Sequence, residues 1–523
     1  MREEGEKKEK DVGMSRGDFL RMATAGLGAA GFALIGDRQA SAQGYALAGN
    51  AGGVGRWQTG IAGIDVTQQT APVLTTNSGI TNTENIAAII AEAPTGATLF
   101  FPRGTYDFAR NGSNDHAILI NKKVNLMGEG WQGSILRLTQ DNCHLIKVEM
   151  PRGPGEGVDT WGARAGILIA DLRIERSAPE PYQLAATLNN YRAGLFLHGC
   201  AKGCFERLWF QNWGIAVHVY STYGDFADGY FNVDNDYQTI HGHFCRIGIK
   251  YTNGDMHQSD NRFRNIVFTG DGTYSTDGTG YNAGLWVEDP QAGDIMVTDS
   301  MFLRYEEGMH FCMNWWNENK NDGHYNANIW LHSIWVDVYR DYGFYLKNVD
   351  LIRMSLCAAA APMGSGAKGV YMENCKNVTI NQGYYSVGRG QYGIFLQGSN
   401  PPHESKKSVY NVSIVNNTIM TWTPVGTGIY CAGMQVSTIA GNNITGVDAG
   451  IVLDADPFTG PCTRNVVSAN CIHSHVAPET TGITVHPGSL NNTILGNVIY
   501  LKNPANAIRD FGTNTIIEHN VTT

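Results

Sequence analysis

The chain has 523 residues, a formal net charge of -10 and a sequence pI of about 5.8. Charged residues make up 16% of it, and 63 residues are glycine. Nucleic acids and anionic membrane surfaces are bound by basic faces, so we expect neither of them as a partner.

The first 42 residues have the order of a bacterial export signal. A charged segment, 1–10, is followed by an apolar run from Met22 to Ile35 and by Ala40-Ser41-Ala42, a small-x-small cleavage site. Residues 15–21 resemble a twin-arginine signal, with Gly17 in place of the second arginine. The apolar run is too short to span a bilayer. We therefore predict a signal peptide over 1–42 and a periplasmic or extracellular protein.

The cysteines are consistent with export. All ten lie after residue 42, and in an oxidising compartment Cys200 could pair with Cys204 and Cys462 with Cys471 across a bend. Others, such as Cys431, occupy positions where cysteine serves as a small apolar residue. No CxxC has a matching Cys or His pair, so we predict no metal site.

Residues 43–75 have the character of a loose leader, and 76–523 are predicted to be one domain. Thr81-Asn82-Thr83-Glu84 predicts a helix start, and Pro94-Thr95-Gly96 predicts its end. A strand, 97–106, follows. A helix at this place would cover the open end of a sheet and its unpaired strand groups.

The segment from this helix through Pro102-Arg103-Gly104-Thr105-Tyr106 to 126–130 and 134–136 resembles the start of the pectate-lyase-like superfamily. The resemblance implies a right-handed parallel β-helix, a carbohydrate substrate and, as in some relatives, a homotrimer as one alternative. It does not choose a reaction, because the superfamily includes hydrolases, lyases, epimerases and transferases. Motifs of polygalacturonases, mannuronan epimerases and calcium-dependent pectate lyases are not matched.

Two repeated patterns support a solenoid. The first is Gly-apolar-x-apolar-x, and its copies begin at Gly194, Gly214, Gly248, Gly284, Gly308, Gly343, Gly369, Gly393, Gly428, Gly450 and Gly482. The second ends in asparagine at Asn417, Asn443, Asn470, Asn497 and Asn520. Periods of 20 to 50 residues without helical spacing are typical of stacked β-coils. We predict an all-β parallel β-helix of about 12 coils, with asparagines stacked at one bend.

The resemblance places the glycine pattern on the first strand of each coil, whose outer face forms the substrate groove. Strand alternation then points the residues one and three after each glycine inward. It points the glycine itself and the residues two before, two after and four after it outward. Stacked coils lie about 4.8 Å apart, so the same position in consecutive coils forms a column. The glycine column would let a ligand approach the backbone closely.

The column two residues after the glycine is rich in aromatics. It contains Phe196, Ala216, Lys250, Trp286, His310, Tyr345, Tyr371, Phe395, Tyr430, Val452 and Thr484. Aromatic faces pack well on sugar rings, so we predict that Lys250, Trp286, Tyr345 and Tyr371 bind a glycan. The alternative is that long loops fold over this face and bury the rings.

The column two residues before the glycine contains the predicted catalytic pair. Glu306 and Asp341 fall on adjacent coils, about 5 Å apart, the separation of the acid/base and nucleophile in retaining glycosidases. Arg246 lies in the same column, two coils earlier. Alternatively, either carboxylate turns away, pairs with Arg304 or Arg340, or is solvated.

Further candidates lie beside this pair. Glu288, four residues after its glycine and diagonal to His310, is the next carboxylate, and His310 itself is a catalytic candidate. Lys347 and Glu373 lie on adjacent coils in the same column. Either they contact the substrate or they form an ordinary surface ion pair. A loop after residue 312 carries Trp315 and Trp316, which would either form a wall of the groove or a packed cover.

We predict a secreted glycoside hydrolase without a cofactor that cleaves a polysaccharide or oligosaccharide. The first alternative is a polysaccharide lyase, with Lys250, His310, Tyr345 or Lys347 as the base and Arg246 or a calcium ion neutralising a uronate. An intramolecular sugar transferase and a non-catalytic glycan-binding protein also stay open.

Overall fold

The computed structural model describes residues 54–56, 62–68, 74–75, 79–139, 143–153, 155–178, 192–221, 232–253, 260–272, 282–288, 294–312, 326–388, 390–398, 409–421, 426–475 and 477–523. The predicted signal peptide, 1–42, lies outside them. The larger of two compact units contains Gly63–Thr523 and carries the sheets, the core and the site. The other unit, 1–51 and 55–62, is described only at residues 55, 56 and 62.

An α-helix runs from Gly79 to Glu92 and buries Ile86, Ile89 and Ile90. All three isoleucines belong to the main apolar core. Their spacing of three and four residues places them on one side of the helix, which explains why that side faces the core. The predicted capping helix is therefore confirmed. A second helix, Val158–Ala165, was not anticipated.

A parallel sheet, called here the first sheet, contains fourteen strands among the described residues. Its strands are His116–Ile120, His144–Glu149, Ala193–His198, Ile215–Ser221, Ile247–Asn253, Ala283–Glu288, Glu307–Cys312, Tyr342–Lys347, Lys368–Glu373, Gln391–Gln397, Gly426–Ala432, Ala449–Asp454, Thr481–Val485 and Ile508–Asp510. Each pairs with the equivalent strand of the next coil, so the described part has slightly more coils than the twelve expected.

The remaining strands of the described residues lie in two further sheets. They are Val54–Arg56, Ala62–Asp65, Thr98–Phe101, Gly104–Phe108, Asn125–Gly128, Ser134–Leu138, Leu168–Arg176, Cys200–Ala201, Cys204–Gln211, Asn232–Val233, Asp236–His243, Arg262–Thr269, Ile295–Leu303, Asn326–Asp337, Asp350–Ser355, Ala358–Ala360, Lys376–Asn381, Tyr384–Val387, Val409–Val415, Thr418–Thr421, Met434–Gln435, Thr438–Ala440, Asn443–Thr445, Val466–Ser468, Cys471–Ser474, Thr493–Leu495, Val498–Leu501, Ile516–Glu518 and Val521–Thr522. A short 3-10 turn covers Pro504–Asn506. Gly63, in the expected leader, already pairs with Thr98.

This architecture is an all-β, right-handed parallel β-helix. Its core is one continuous apolar cluster that follows the axis from Val66 to Ala507. The residues one and three after each repeat glycine point into it as predicted; Leu285 and Val287 are examples, 1% and 0% exposed.

The asparagine ladder forms at the predicted bend, with one change of member. Asn442, not Asn443, is buried in the ladder, while Asn443 is exposed. Each amide donates to the side-chain oxygen of the next, over 2.9–3.0 Å, in the series Asn417, Asn442, Asn470, Asn497 and Asn520. The two adjacent asparagines were indistinguishable by spacing alone.

The prediction that the repeat glycines face outward is wrong. A Cβ placed on Gly248 would lie 2.7 Å from the ring of Phe268, a core residue, and one on Gly428 would lie 2.7 Å from Ile444. Strand pairing is interrupted at the glycine, as between Gly248 and Gly284. At this local bend two consecutive residues face inward, so simple alternation fails. The glycines allow close packing between faces of the coil and form no part of an outer floor.

The copy assigned to Gly214 is also wrong. Strand pairing aligns Phe196 with His218 and His218 with Lys250. His218 therefore occupies the aromatic column in place of Ala216. The Gly214 pattern lies two residues out of register, because Gly214 precedes its strand, which starts at Ile215.

All ten cysteines fall in the described part, and all are free thiols. The suggested Cys200–Cys204 and Cys462–Cys471 disulfides are therefore not formed. Cys431 is buried, as expected for a small apolar residue. Among the described residues, no helix is long and apolar enough to cross a membrane.

Candidate active site

Six rings stack along the outer face of the first sheet, one from each of six consecutive coils. We call this the aromatic stack, and it contains Trp286, His310, Tyr345, Tyr371, Phe395 and Tyr430. Neighbouring ring centroids lie 3.9–5.7 Å apart, and the planes differ by 6–19°. The register of the strands confirms the predicted column over these coils.

The stacking limits which surfaces of these rings a ligand can contact. Each inner ring has its two faces covered by its neighbours, so the faces are not available to a sugar as an open row. Three of the rings are also shielded from solvent: Trp286 is 2%, His310 6% and Tyr371 6% exposed. The other three, Tyr345, Phe395 and Tyr430, are half-buried. Their edges and hydroxyl groups are what the stack can present.

Glu306 and Asp341 meet on adjacent coils, as the repeat predicted. The Asp341 amide donates to the Glu306 carbonyl over 2.9 Å. Arg340 lies between the two carboxylates, with Nη1 3.2 Å from Glu306 Oε1 and Nε 3.7 Å from Asp341 Oδ1. Glu306 is buried, whereas the Asp341 side chain is 46% exposed. The predicted adjacency of the two residues is therefore confirmed, and so is the contact with Arg340 that was the alternative to a catalytic pair.

Burial raises the pKa of Asp341, and the nearby Glu307 carboxylate raises it further. Arg340 and Lys368 oppose this rise by attraction. Desolvation in turn lowers the pKa of Lys368, whose ammonium lies 5.2 Å from the ring centre of Tyr342 and 5.3 Å from that of Phe395. A carboxyl with a raised pKa is suited to donate a proton.

Glu307 is a site residue that the sequence reasoning missed. It is 8% exposed, and its Oε2 accepts a hydrogen bond from Nδ1 of His310. Alternation assigned it to the inside, but the bend at Gly308 turns it to the same outer face as His310. A signal did exist, because the equivalent positions of the four preceding coils are apolar: Ala193, Ile215, Ile247 and Ala283.

We call Glu306, Glu307 and Asp341 the carboxylate cluster. Its members come from two adjacent coils, and the aromatic stack passes beside it through His310 and Tyr345. Glu306 and Asp341 contact the Arg340 guanidinium, and Glu307 contacts His310, so several groups able to transfer protons lie close together.

The column four residues after the glycine forms a polar line along the stack. Lys347 and Glu373 make an ion pair of 2.9 Å, one of the two alternatives the sequence left open. Tyr371 donates its hydroxyl to Glu373 over 2.6 Å and accepts from Gln397 over 2.7 Å. These contacts fix the hydroxyl edge of the stack.

Lys250, Glu288 and Arg246 lie on the N-terminal side of the cluster. Lys250 is 2% exposed, and burial lowers its pKa, opposed by the Glu288 carboxylate. Glu288 aligns with Thr252 on the preceding coil. Arg246 makes a 2.6 Å ion pair with Asp271.

Trp315 and Trp316 lie outside the described residues. Within the described ranges, no group of three or more His, Cys, Asp and Glu side chains is arranged to hold a metal ion.

The fold is an all-β parallel β-helix. A family model described as "NosD: Periplasmic copper-binding protein (NosD)" matches residues 317–523, less than half of the chain. No curated protein matches the sequence.

Several solved structures are similar at low identity. The A-module of mannuronan C-5 epimerase AlgE6 from Azotobacter vinelandii is 14% identical with a TM-score of 0.39, over 84% of this chain and 94% of that one. Tailspike protein 3 of bacteriophage CBA120 is 11% identical with a TM-score of 0.41, over 86% and 60%. The catalytic unit of a GH87 alpha-1,3-glucanase from Streptomyces thermodiastaticus is 14% identical with a TM-score of 0.35, over 90% and 70%.

Proposed function

We propose that this chain is an exported carbohydrate-active enzyme that hydrolyses glycosidic bonds. The observation that carries the proposal is the carboxylate cluster, in which Glu306 and Asp341 share Arg340 on adjacent coils beside a polar, aromatic face. Export follows from the signal-like order of residues 1–42.

Asp341 is the proposed general acid. Its side chain is about half exposed, so it can reach a glycosidic oxygen, and its raised pKa keeps it protonated to a higher pH than an ordinary aspartic acid. It would give its proton to the leaving oxygen as the glycosidic bond breaks.

Glu306 is the proposed second carboxylate. Buried and ion-paired with Arg340, it is the candidate to attack the anomeric carbon or to stabilise positive charge there. Strands of adjacent coils lie about 4.8 Å apart, which would bring the two carboxyl groups near the short separation that retaining enzymes use. Retention of anomeric configuration is therefore the stereochemistry we expect.

The test is a panel of polysaccharides with product analysis by mass. Hydrolysis adds one water to the products, and Asp341→Asn and Glu306→Gln should each lower kcat by about 100-fold or more, the usual scale for losing an acid or a nucleophile. Asp299→Asn, an exposed residue on another face, is the matched control and should keep wild-type activity. Full turnover in both site variants would refute the assigned pair.

A polysaccharide lyase is the second candidate, favoured by one observation. Burial lowers the pKa of Lys250, and a lysine that loses its proton more readily is better suited to act as the base next to a carboxylate. A lyase releases an unsaturated product that absorbs in the near ultraviolet and adds no water. If the products contain no added water and Lys250→Met abolishes their formation, the lyase replaces the hydrolase as the proposed function. A polymer bound without any product would favour a glycan-binding protein.

A further inference from the structure

Glu307 and His310 form a buried pair that the proposed hydrolysis does not use. The carboxylate is 8% and the imidazole 6% exposed, and they are joined by the hydrogen bond between Oε2 and Nδ1. The pair depends on the bend at Gly308, since that bend brings residues three apart to the same face of the strand.

The imidazole cannot turn freely in this position. Trp286 covers one of its faces at 3.9 Å with planes 6° apart, and Tyr345 covers the other at 4.7 Å with planes 11° apart. The hydrogen bond to Glu307 fixes the ring within this sandwich. All three constraints come from residues of the first sheet, and strands position a functional group more precisely than loops do.

The second ring nitrogen of His310, Nε2, differs from Nδ1 in its hydrogen bonding. Nε2 of His310 is buried and has no hydrogen-bond partner among the described residues. Buried polar atoms are nearly always paired, and leaving one unpaired is unfavourable. A group that enters the site is therefore the natural partner for it.

We propose that His310 is a substrate-binding residue whose Nε2 accepts a hydrogen bond from a sugar hydroxyl, and that Glu307 is its positioning residue. A carboxylate can only accept, so Nδ1 must carry the proton, and the neutral ring then has its lone pair on Nε2. This rests on the proposed function and deepens it, because it requires a substrate hydroxyl at the coil of His310.

The sugar class follows from this acceptor. A site built to bind a hydroxyl discriminates strongly against an analogue that lacks it. Glycans that are deoxygenated or acylated at this position are therefore poor ligands, whereas the free hydroxyl form is bound.

The state of the ring can be measured without any substrate. In protein labelled with ¹⁵N-histidine, with His310→Asn to assign the resonances, Nε2 of His310 should give the signal of an unprotonated nitrogen at neutral pH and Nδ1 that of a protonated one. Glu307→Gln should add a population with the proton on Nε2, because an amide can also donate to Nδ1. A protonated Nε2 in the wild type would overturn the proposal.

Binding gives the second readout, with the polymer selected by the polysaccharide panel. Glu307→Gln should weaken the affinity measured by calorimetry about tenfold, the scale of one hydrogen bond, and Glu307→Asp should restore part of it. Glu149→Gln is the matched control, since Glu149 also pairs with a histidine, His198, at 3.2 Å, five strands away on the same sheet. It should bind like the wild type.

The outcomes separate the two proposals. Unchanged affinity in Glu307→Gln, with hydrolysis intact in the wild type, would refute the role of the pair and leave the hydrolase standing. A wild type that binds a polymer but cleaves nothing would refute the hydrolase, while the loss of affinity in Glu307→Gln would still support His310 as the hydroxyl acceptor.

Discussion

At the residue scale, Asp341 shows how neighbours set the chemistry of one carboxyl group. Burial and the Glu307 charge raise its pKa, and the Lys368 and Arg340 charges lower it. A general acid works only while protonated, so activity is lost as the pH rises through its pKa. The net balance of these groups therefore sets the alkaline limit of the proposed reaction.

Lys368→Met should move this alkaline limit to higher pH. Without the ammonium, less attraction stabilises the charged form of Asp341, so its pKa rises and the acid stays protonated further. The measurement is the pH dependence of kcat on the polymer found by the panel. Lys376→Met, on a different face, should leave the profile unchanged, and an acidic shift in Lys368→Met would contradict the assignment of Asp341.

At the element scale, the bend at each repeat glycine is the feature that shapes the site. It turns the residue before the glycine outward, as in Ala283, which shares an outer apolar cluster with Trp286. It also brings the glycine close to the opposite wall of the coil. The same bend that packs the core therefore places Glu307 next to His310.

Gly248→Ala should destabilise the fold by about 2 kcal/mol or more. The new methyl would meet the Phe268 ring at 2.7 Å, and a closely packed core accommodates such an overlap poorly. Chemical denaturation measures the loss. Gly153→Ala is the control, because its methyl meets only Glu156 Oε2, at 3.5 Å; equal losses in the two variants would contradict the packing argument.

Asn470→Ala should lower the free energy of unfolding by about 3 kcal/mol, since several buried hydrogen bonds are lost together. Its amide donates to the Ile439 carbonyl and to Asn497, and its oxygen accepts from Asn442. Asn443→Ala changes the exposed neighbour of Asn442 and should have little effect. A large loss of unfolding free energy in Asn443→Ala instead would indicate that Asn443, as the sequence suggested, is the ladder member.

At the scale of the whole molecule, stability is distributed along the solenoid, because each coil packs on its neighbours. Buried asparagines pair in the C-terminal coils. The N-terminal coils of the first sheet instead contain His144, His198 and His218, and desolvation lowers the pKa of each, that of His144 to about 3. The two halves should therefore respond differently to acid.

We expect acid to open the N-terminal coils first. A histidine with a depressed folded pKa stabilises the fold above its unfolded pKa of about 6.5, and this contribution is lost as the pH falls towards the folded value; for His144 the loss is about 2 kcal/mol at about pH 5. Hydrogen exchange read by mass spectrometry at pH 7 and pH 5 should show a larger increase in exchange at pH 5 in 144–220 than in 412–520.

His144→Asn is the control variant. Its side-chain oxygen can still accept from the Ala193 amide, as Nδ1 of His144 does over 2.9 Å, and the variant should show a smaller increase in exchange at pH 5. Opening that starts at the C-terminal coils would contradict this.

The sequence by itself determined the repeat, the capping helix, the inward apolar positions and the meeting of Glu306 with Asp341, because equivalent positions of a solenoid must stack whatever the loops between them. Only the tertiary structure decided the direction of the glycines, the register at Ala216 and the place of Glu307. All three depend on the backbone conformation at the start of each strand. The alternation of apolar and polar residues does not predict that conformation, because the alternation is interrupted there. It also decided that the aromatic rings cover one another, because ring orientation is set by the neighbours of each side chain in space.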